Sequence, residues 1–125
     1  MATVKYNLGT VGGIAVTELW SGIAGNIKGS GSGTITLSDD LSNYKFLILD
    51  FCCSCNDTEI WYYSRTISVK QVINYFNNTN TGVYIAFACG YRSSSDYFTI
   101  YKNSTTKALN ISCYCTQCLR IVGIN

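Results

Sequence analysis

The sequence predicts an all-β chain, an antiparallel β-sandwich of jelly-roll type with about eight or nine strands and a short N-terminal arm. Ten Tyr and five Phe occur with abundant Val, Ile and Thr and with no Pro, a composition that favours pleated, half-buried surfaces over helices. Two runs, 44–53 and 83–89, are apolar on both alternating faces, as in strands covered on both sides. Turn-forming clusters divide the rest into short segments at the spacing of sandwiches and jelly rolls. A chain of 125 residues suits one domain, placed at residues 14–125 behind an arm of residues 1–13.

Taken in order, residues 1–13 are short and rich in Gly. They read as an arm suited to pairing with a neighbouring subunit's sheet edge. The first regular strand is expected over 14–20. Residues 21–33 gather Ser21-Gly22, Gly25-Asn26 and Gly29-Ser30-Gly31-Ser32-Gly33, which resist regular structure and read as a loop. Residues 34–37 alternate with period two, and Ser38-Asp39-Asp40 supplies turn chemistry after them. Residues 44–53 form the best candidate for a central strand. Segments 58–63 and 65–69 are further strands, while 69–76 fits either one helical turn or a strand end, because periodicity does not arbitrate so short a piece. A turn at 77–82 leads to the strand at 83–89, and 97–101, 108–114 and 119–124 complete the count. Phe46, Ile48, Phe51, Ile85, Phe87, Ile111 and Ile121 are the expected interior.

Hydrophobic residues make up 47% of the chain and charged residues 13%, so Ser, Thr, Asn and Gly must supply much of the polar surface. Net charge is +2 with the Lys and Arg dispersed, which gives no footprint for nucleic acid. No apolar run is long enough to insert in a membrane, and residues 1–13 lack the build of a signal peptide. Seven Cys, an odd number, point to thiols made in a reducing compartment.

The chain contains no His, which removes the commonest general base and triad orienter, and the sequence is read as non-enzymatic, with no catalytic residue and no cofactor. Asp39-Asp40 sits in a turn, where Asp serves the backbone. Asp50 interrupts an apolar strand and is read as a carboxylate at an edge or subunit contact, paired with Lys or Arg. Two C-x-x-C spacings, Cys52 with Cys55 and Cys115 with Cys118, would together make a four-thiolate zinc site. Their separation of about sixty residues lies outside the usual range for zinc ribbons. Packing thiols and disulfides formed after release are the other readings, and packing is preferred.

Two aromatic stretches suit ligand contact. Tyr91, Arg92, Asp96 and Tyr97 bracket a Ser-rich segment read as an exposed loop, where Tyr gives a flat apolar face and Arg and Asp give directional hydrogen bonds. Trp61 and Tyr62 form the second stretch. In a Tyr-rich β-protein both serve equally well in the core or at a subunit interface.

The strings Glu18-Leu19-Trp20-Ser21-Gly22, Gly33-Thr34-Ile35-Thr36-Leu37 and Leu41-Ser42-Asn43-Tyr44-Lys45-Phe46-Leu47-Ile48, with the ending Leu119-Arg120-Ile121-Val122-Gly123-Ile124, resemble small β-domains of tailed-bacteriophage tail fibres and minor virion proteins. In packing terms, Trp20 is an apolar plug at a strand end, Ser21-Gly22 turns the chain, and Tyr44 re-enters the core. The resemblance implies a homo-oligomeric particle component, a trimer by first expectation, assembled in the bacterial cytoplasm and residing in the virion. It further implies contact with other virion proteins and with a host-surface glycan. In such proteins the domain commonly ends a longer chain, whereas here it begins within about twenty residues of Met1.

Overall fold

A computed structural model of the chain describes residues 6–11, 14–54, 59–78, 82–87 and 96–125. Among them seven strands form one curled antiparallel sheet: β1 (Tyr6–Val11), β2 (Ile14–Thr36), β3 (Phe46–Ser54), β4 (Ile60–Ser68), β5 (Val83–Phe87), β6 (Asp96–Lys102) and β7 (Ala108–Ile124). A 3-10 turn at Leu41–Asn43 precedes β3, and one helix, α1 (Val69–Asn78), follows β4. All-β is therefore the class.

The strand count differs from the sequence expectation because two strands are long. Residues 21–33 are not a loop, and Ser21-Gly22 does not turn the chain; β2 runs through both and pairs with β7 from Val16↔Ile124 to Thr36↔Ala108. The Gly-rich composition has a packing cause. A Cβ at Gly25 would lie 2.4 Å from the Thr116 carbonyl oxygen, and Gly25 has φ +117°, so both clearance and backbone demand glycine. Ladder registry slips between Asn26 and Ser30. There the Asn26 amide donates to the Ser30 carbonyl (3.1 Å) and its oxygen accepts from the Lys28 N–H (2.9 Å), so one side chain satisfies the bulge. The segments at 108–114 and 119–124 are likewise one strand, β7.

β7 is the spine of the sheet. Along one edge it pairs with β2; along the other, residues 109–114 pair with β6 and residues 116–124 with β3. The change of partner falls at Cys115, a non-glycine residue in the left-handed region at φ +55°. Beside it, buried Thr116 donates from Oγ1 to the Tyr97 carbonyl at 2.6 Å and pins the start of β6. This bend curls the sheet, so Phe51 of β3 and Phe98 of β6 meet with ring centroids 5.0 Å apart.

The core fills the concave side. Leu47, Leu49, Phe51 and Cys53 point inward from β3, and Leu109, Ile111 and Cys113 from β7, each set at period two. Residues 69–78 resolve as helix: Val69, Val72 and Phe76 fall on one buried face, and the Ser68 hydroxyl accepts from the Gln71 N–H. Phe51, Ile85, Ile111 and Ile121 are buried as expected. Phe46 is not: it is 44% exposed, because its even position puts it with half-buried Ile48 on the outer face. The side chain of Phe87 lies outside the described residues. Tyr44 does re-enter the core, lying against Gly123, where a Cβ would come within 2.6 Å of its ring. Its hydroxyl donates to Asp39 at 2.7 Å. Asp40 caps the 3-10 turn, accepting from the Ser42 N–H and hydroxyl and from Thr106 Oγ1. The hydrogen bonds from Ser42 and then Thr106 hold its carboxyl below the ordinary value. Both aspartates serve the turn.

Tyr6–Val11 pairs antiparallel with the start of β2 in the same chain, Tyr6↔Glu18 to Val11↔Ile14, so this part of the arm folds as a hairpin on its own subunit.

Candidate functional site

The convex face of the sheet carries two distinct surfaces, one over each partner of β7. Over β3 and β4, the even positions of β3 face outward beside Tyr62, Ser64 and Thr66 of β4 and Arg120 and Val122 of β7. One cross-strand row reads Ser64, Asp50, Arg120, Ser21. Asp50 accepts from the Ser64 hydroxyl at 2.6 Å. Arg120 places Nε 3.2 Å from Glu18 Oε1, outside hydrogen-bond alignment, so the attraction is Coulombic. Asp50, Ser64 and Arg120 line an open groove of about 520 Å³ together with Phe51, Tyr62, Tyr63 and Leu119. Tyr62, 71% exposed, stands at its rim and offers a flat apolar face. The groove thus holds an anionic acceptor, a cationic donor, a hydroxyl and an aromatic wall, on strands rather than loops.

Asp50 departs from the sequence expectation in both partner and place: it accepts from Ser64, while the cross-strand Arg120 pairs with Glu18, and its strand lies between β4 and β7, away from any sheet edge. Arg120 and Ser64 were missed, since nothing in either local segment reveals that they flank Asp50 across strands. The interruption of an apolar run at Asp50 was the one available signal.

The second surface lies over β5 and β6. Tyr84, Tyr97 and Tyr114 stack in a ladder, with centroids 5.4 and 6.3 Å apart and ring planes within 29° and 21°. Tyr97 is the middle rung, so its faces are covered by its neighbours and not presented to a ligand. Below the ladder Asn110 accepts from Thr34 Oγ1 (3.0 Å) and Asn103 Nδ2 (2.8 Å) and donates to the Lys102 carbonyl (3.2 Å). These polar groups are satisfied within the chain.

Of the other expected ligand residues, Tyr91 and Arg92 lie outside the described residues. Asp96 is fully buried and points to the concave side with Phe98, opposite to Tyr97. Trp61 and Tyr62 face opposite sides of β4; Trp61 donates from Nε1 to Glu59 at 3.4 Å, and only Tyr62 enters the groove.

Cys52, Cys53, Cys113, Cys115 and Cys118 are all buried and not joined in disulfides. Cys113 Sγ fits beneath β2, where a Cβ at Gly25 or Gly31 would sit 3.0 or 3.1 Å away. Cys52 faces Gln117 Oε1 at 3.6 Å. Burial pushes the Cys52 thiol up and the Cys118 thiol up to about 12, so neither is poised as a thiolate at neutral pH. Among the described residues no three His, Cys, Asp or Glu side chains converge as a metal set, and Cys55 lies outside them. No family model and no curated protein sequence matches this chain.

Proposed function

We propose that this chain is a non-enzymatic structural component of a tailed-phage virion, in the class of fibre, tail or decoration proteins, that meets the host surface through its convex face. The observation that carries this reading is the groove between Asp50, Tyr62 and Arg120, whose acceptor, donor and aromatic wall form a set for recognition. The segments that resemble fibre domains support it further, because they fall mainly on β2, β3 and β7, three neighbouring strands of the one sheet. Immunogold labelling of purified tailed-phage particles with antibody to this chain tests the assignment. Particle-bound gold is expected; label confined to the particle-free lysate overturns it.

A second reading is favoured by the same groove: a saccharide-binding adsorption module. Tyr62 stacks on the apolar face of a sugar ring while Asp50 and Arg120 take its hydroxyls, and Ser64 orients Asp50. Glycan-array binding that Tyr62→Ala abolishes and Tyr97→Ala retains supports this assignment. The reverse pattern would move the site to the tyrosine ladder.

A further inference from the structure

We infer that β4 is a self-pairing edge, and that two copies of this chain join through it, antiparallel about Ser64, into one continuous sheet. β4 pairs with β3 over nine residues without a register shift and has no strand on its other side among the described residues. A strand of that length presents roughly 30 Å of edge. It carries no Pro, no Lys and no bulge, and Arg65, on the inward face opposite Leu49, is its single charge. Ile60, Trp61 and Tyr62 are exposed along it. The edges of β1 and β5 are shorter, and β1 contains an irregularity between Asn7 and Thr10.

The occupant follows from the sequence of the strand, which is complementary to itself when reversed. Centred on Ser64, the pairing sets Tyr63 opposite Arg65 of the second copy, Tyr62 opposite Thr66, Trp61 opposite Ile67, and Ile60 opposite Ser68. Within one chain Arg65 already lies over the Tyr63 ring at 5.3 Å, so the cross-copy pair repeats a contact that the two side chains favour. No like charges stand directly opposite. Arg65 also donates to the Ser64 carbonyl at 3.1 Å, a contact at the centre of the seam that pairing through this carbonyl would displace.

This register has a consequence for recognition, which rests on the groove reading above. Tyr62, Ser64 and Thr66 share the convex face, so the polar row continues from Arg120, Asp50 and Ser64 into Ser64, Asp50 and Arg120 of the second copy. Two grooves become one trough that crosses a twofold axis normal to the sheet, shaped for an extended chain rather than a single ring. An isologous contact of this kind closes as a dimer, in place of the trimer expected from the sequence.

Light scattering on the purified full chain is the test, and it reads mass independently of any glycan. The wild type is expected at twice the chain mass of 13.8 kDa. Combining Tyr62→Lys with Thr66→Lys places like charges opposite at both pairs and is expected to weaken the dimer roughly tenfold or more. Tyr62→Lys with Thr66→Glu places opposite charges there and is expected to restore it. Both sites are exposed, and circular dichroism checks that each variant keeps its sheet. Hydrogen exchange on the wild type gives a second readout: amides of β4 should be protected in the dimer and lose protection on dilution. A wild-type monomer or trimer, equal masses for the two double variants, or β4 exchange independent of concentration overturns the proposal.

Discussion

The two halves of the β7 edge that faces away from β2 carry the same backbone ladder and opposite kinds of surface. Over β6 and β5 the outward side chains are neutral, and they satisfy one another: each tyrosine ring lies against the next, and Asn110 is engaged by Thr34, Asn103 and the Lys102 carbonyl. Over β3 and β4 the outward side chains include the charged pair Asp50 and Arg120, only partly engaged. Asp50 accepts Ser64 on one oxygen, Arg120 leans toward Glu18 out of hydrogen-bond alignment, and among the described residues no ring covers Tyr62. A surface that has used its hydrogen bonds and ring faces internally has little left to offer a ligand. On the proposed reading, recognition falls to the groove and the ladder serves stability.

The sharpest way to break this comparison is to cut what joins the halves. Phe98 is fully buried and Phe51 nearly so, and they meet where the two flanks fold toward each other. Phe98→Ala should cost about 3–5 kcal/mol in urea unfolding. A loss below about 1 kcal/mol would mean that the flanks are stabilised separately.

The next effect separates the flanks by pH. Cys118 lies on the β3 side with its thiol raised by burial from the ordinary 9.0 to about 12. The folded chain then holds a proton that the unfolded chain releases, so this contribution is complete below pH 9 and is lost as pH rises from 9 toward 12. Unfolding midpoints of the wild type should fall relative to Cys118→Ala across that window. Parallel curves would show that Cys118 is not desolvated as placed.

Smaller again is the contrast between two tyrosines. Tyr97→Ala removes both ring contacts of the ladder and should cost about 1–3 kcal/mol, whereas Tyr62→Ala should change stability by no more than about 0.5 kcal/mol. Chemical denaturation of both variants distinguishes a structural ladder from an exposed recognition residue. Equal losses would erase the distinction between the two rings.

The smallest effect concerns the ion pair. Glu18→Gln should shift stability by less than about 1 kcal/mol, with the difference fading at high salt, because the Arg120 side chain is 39% exposed and the pair is not aligned for hydrogen bonding. Thermal melts at low and high ionic strength measure it.

Local signals determined a good deal. Aromatic and β-branched composition without Pro led to the all-β class, and period-two patterning placed Phe51, Ile111 and Ile121 in the core. Asp39 and Asp40 in a Ser-Asp-Asp cluster led to the turn, since those side chains bond the backbone within a few residues. Tertiary structure decided the rest. Residues 21–33 became strand because β7 supplies a close-packed partner that tolerates only small residues at Gly25 and Gly31, a neighbour far along the chain at Cys113 to Gln117. Residues 69–78 became helix because the core receives Val69, Val72 and Phe76 together. The groove was legible only at Asp50, as a charge in an apolar run. Its other members, Ser64 and Arg120, reach it through strand registry, and registry is set by the bends and bulges of the whole sheet, which no short window of sequence contains.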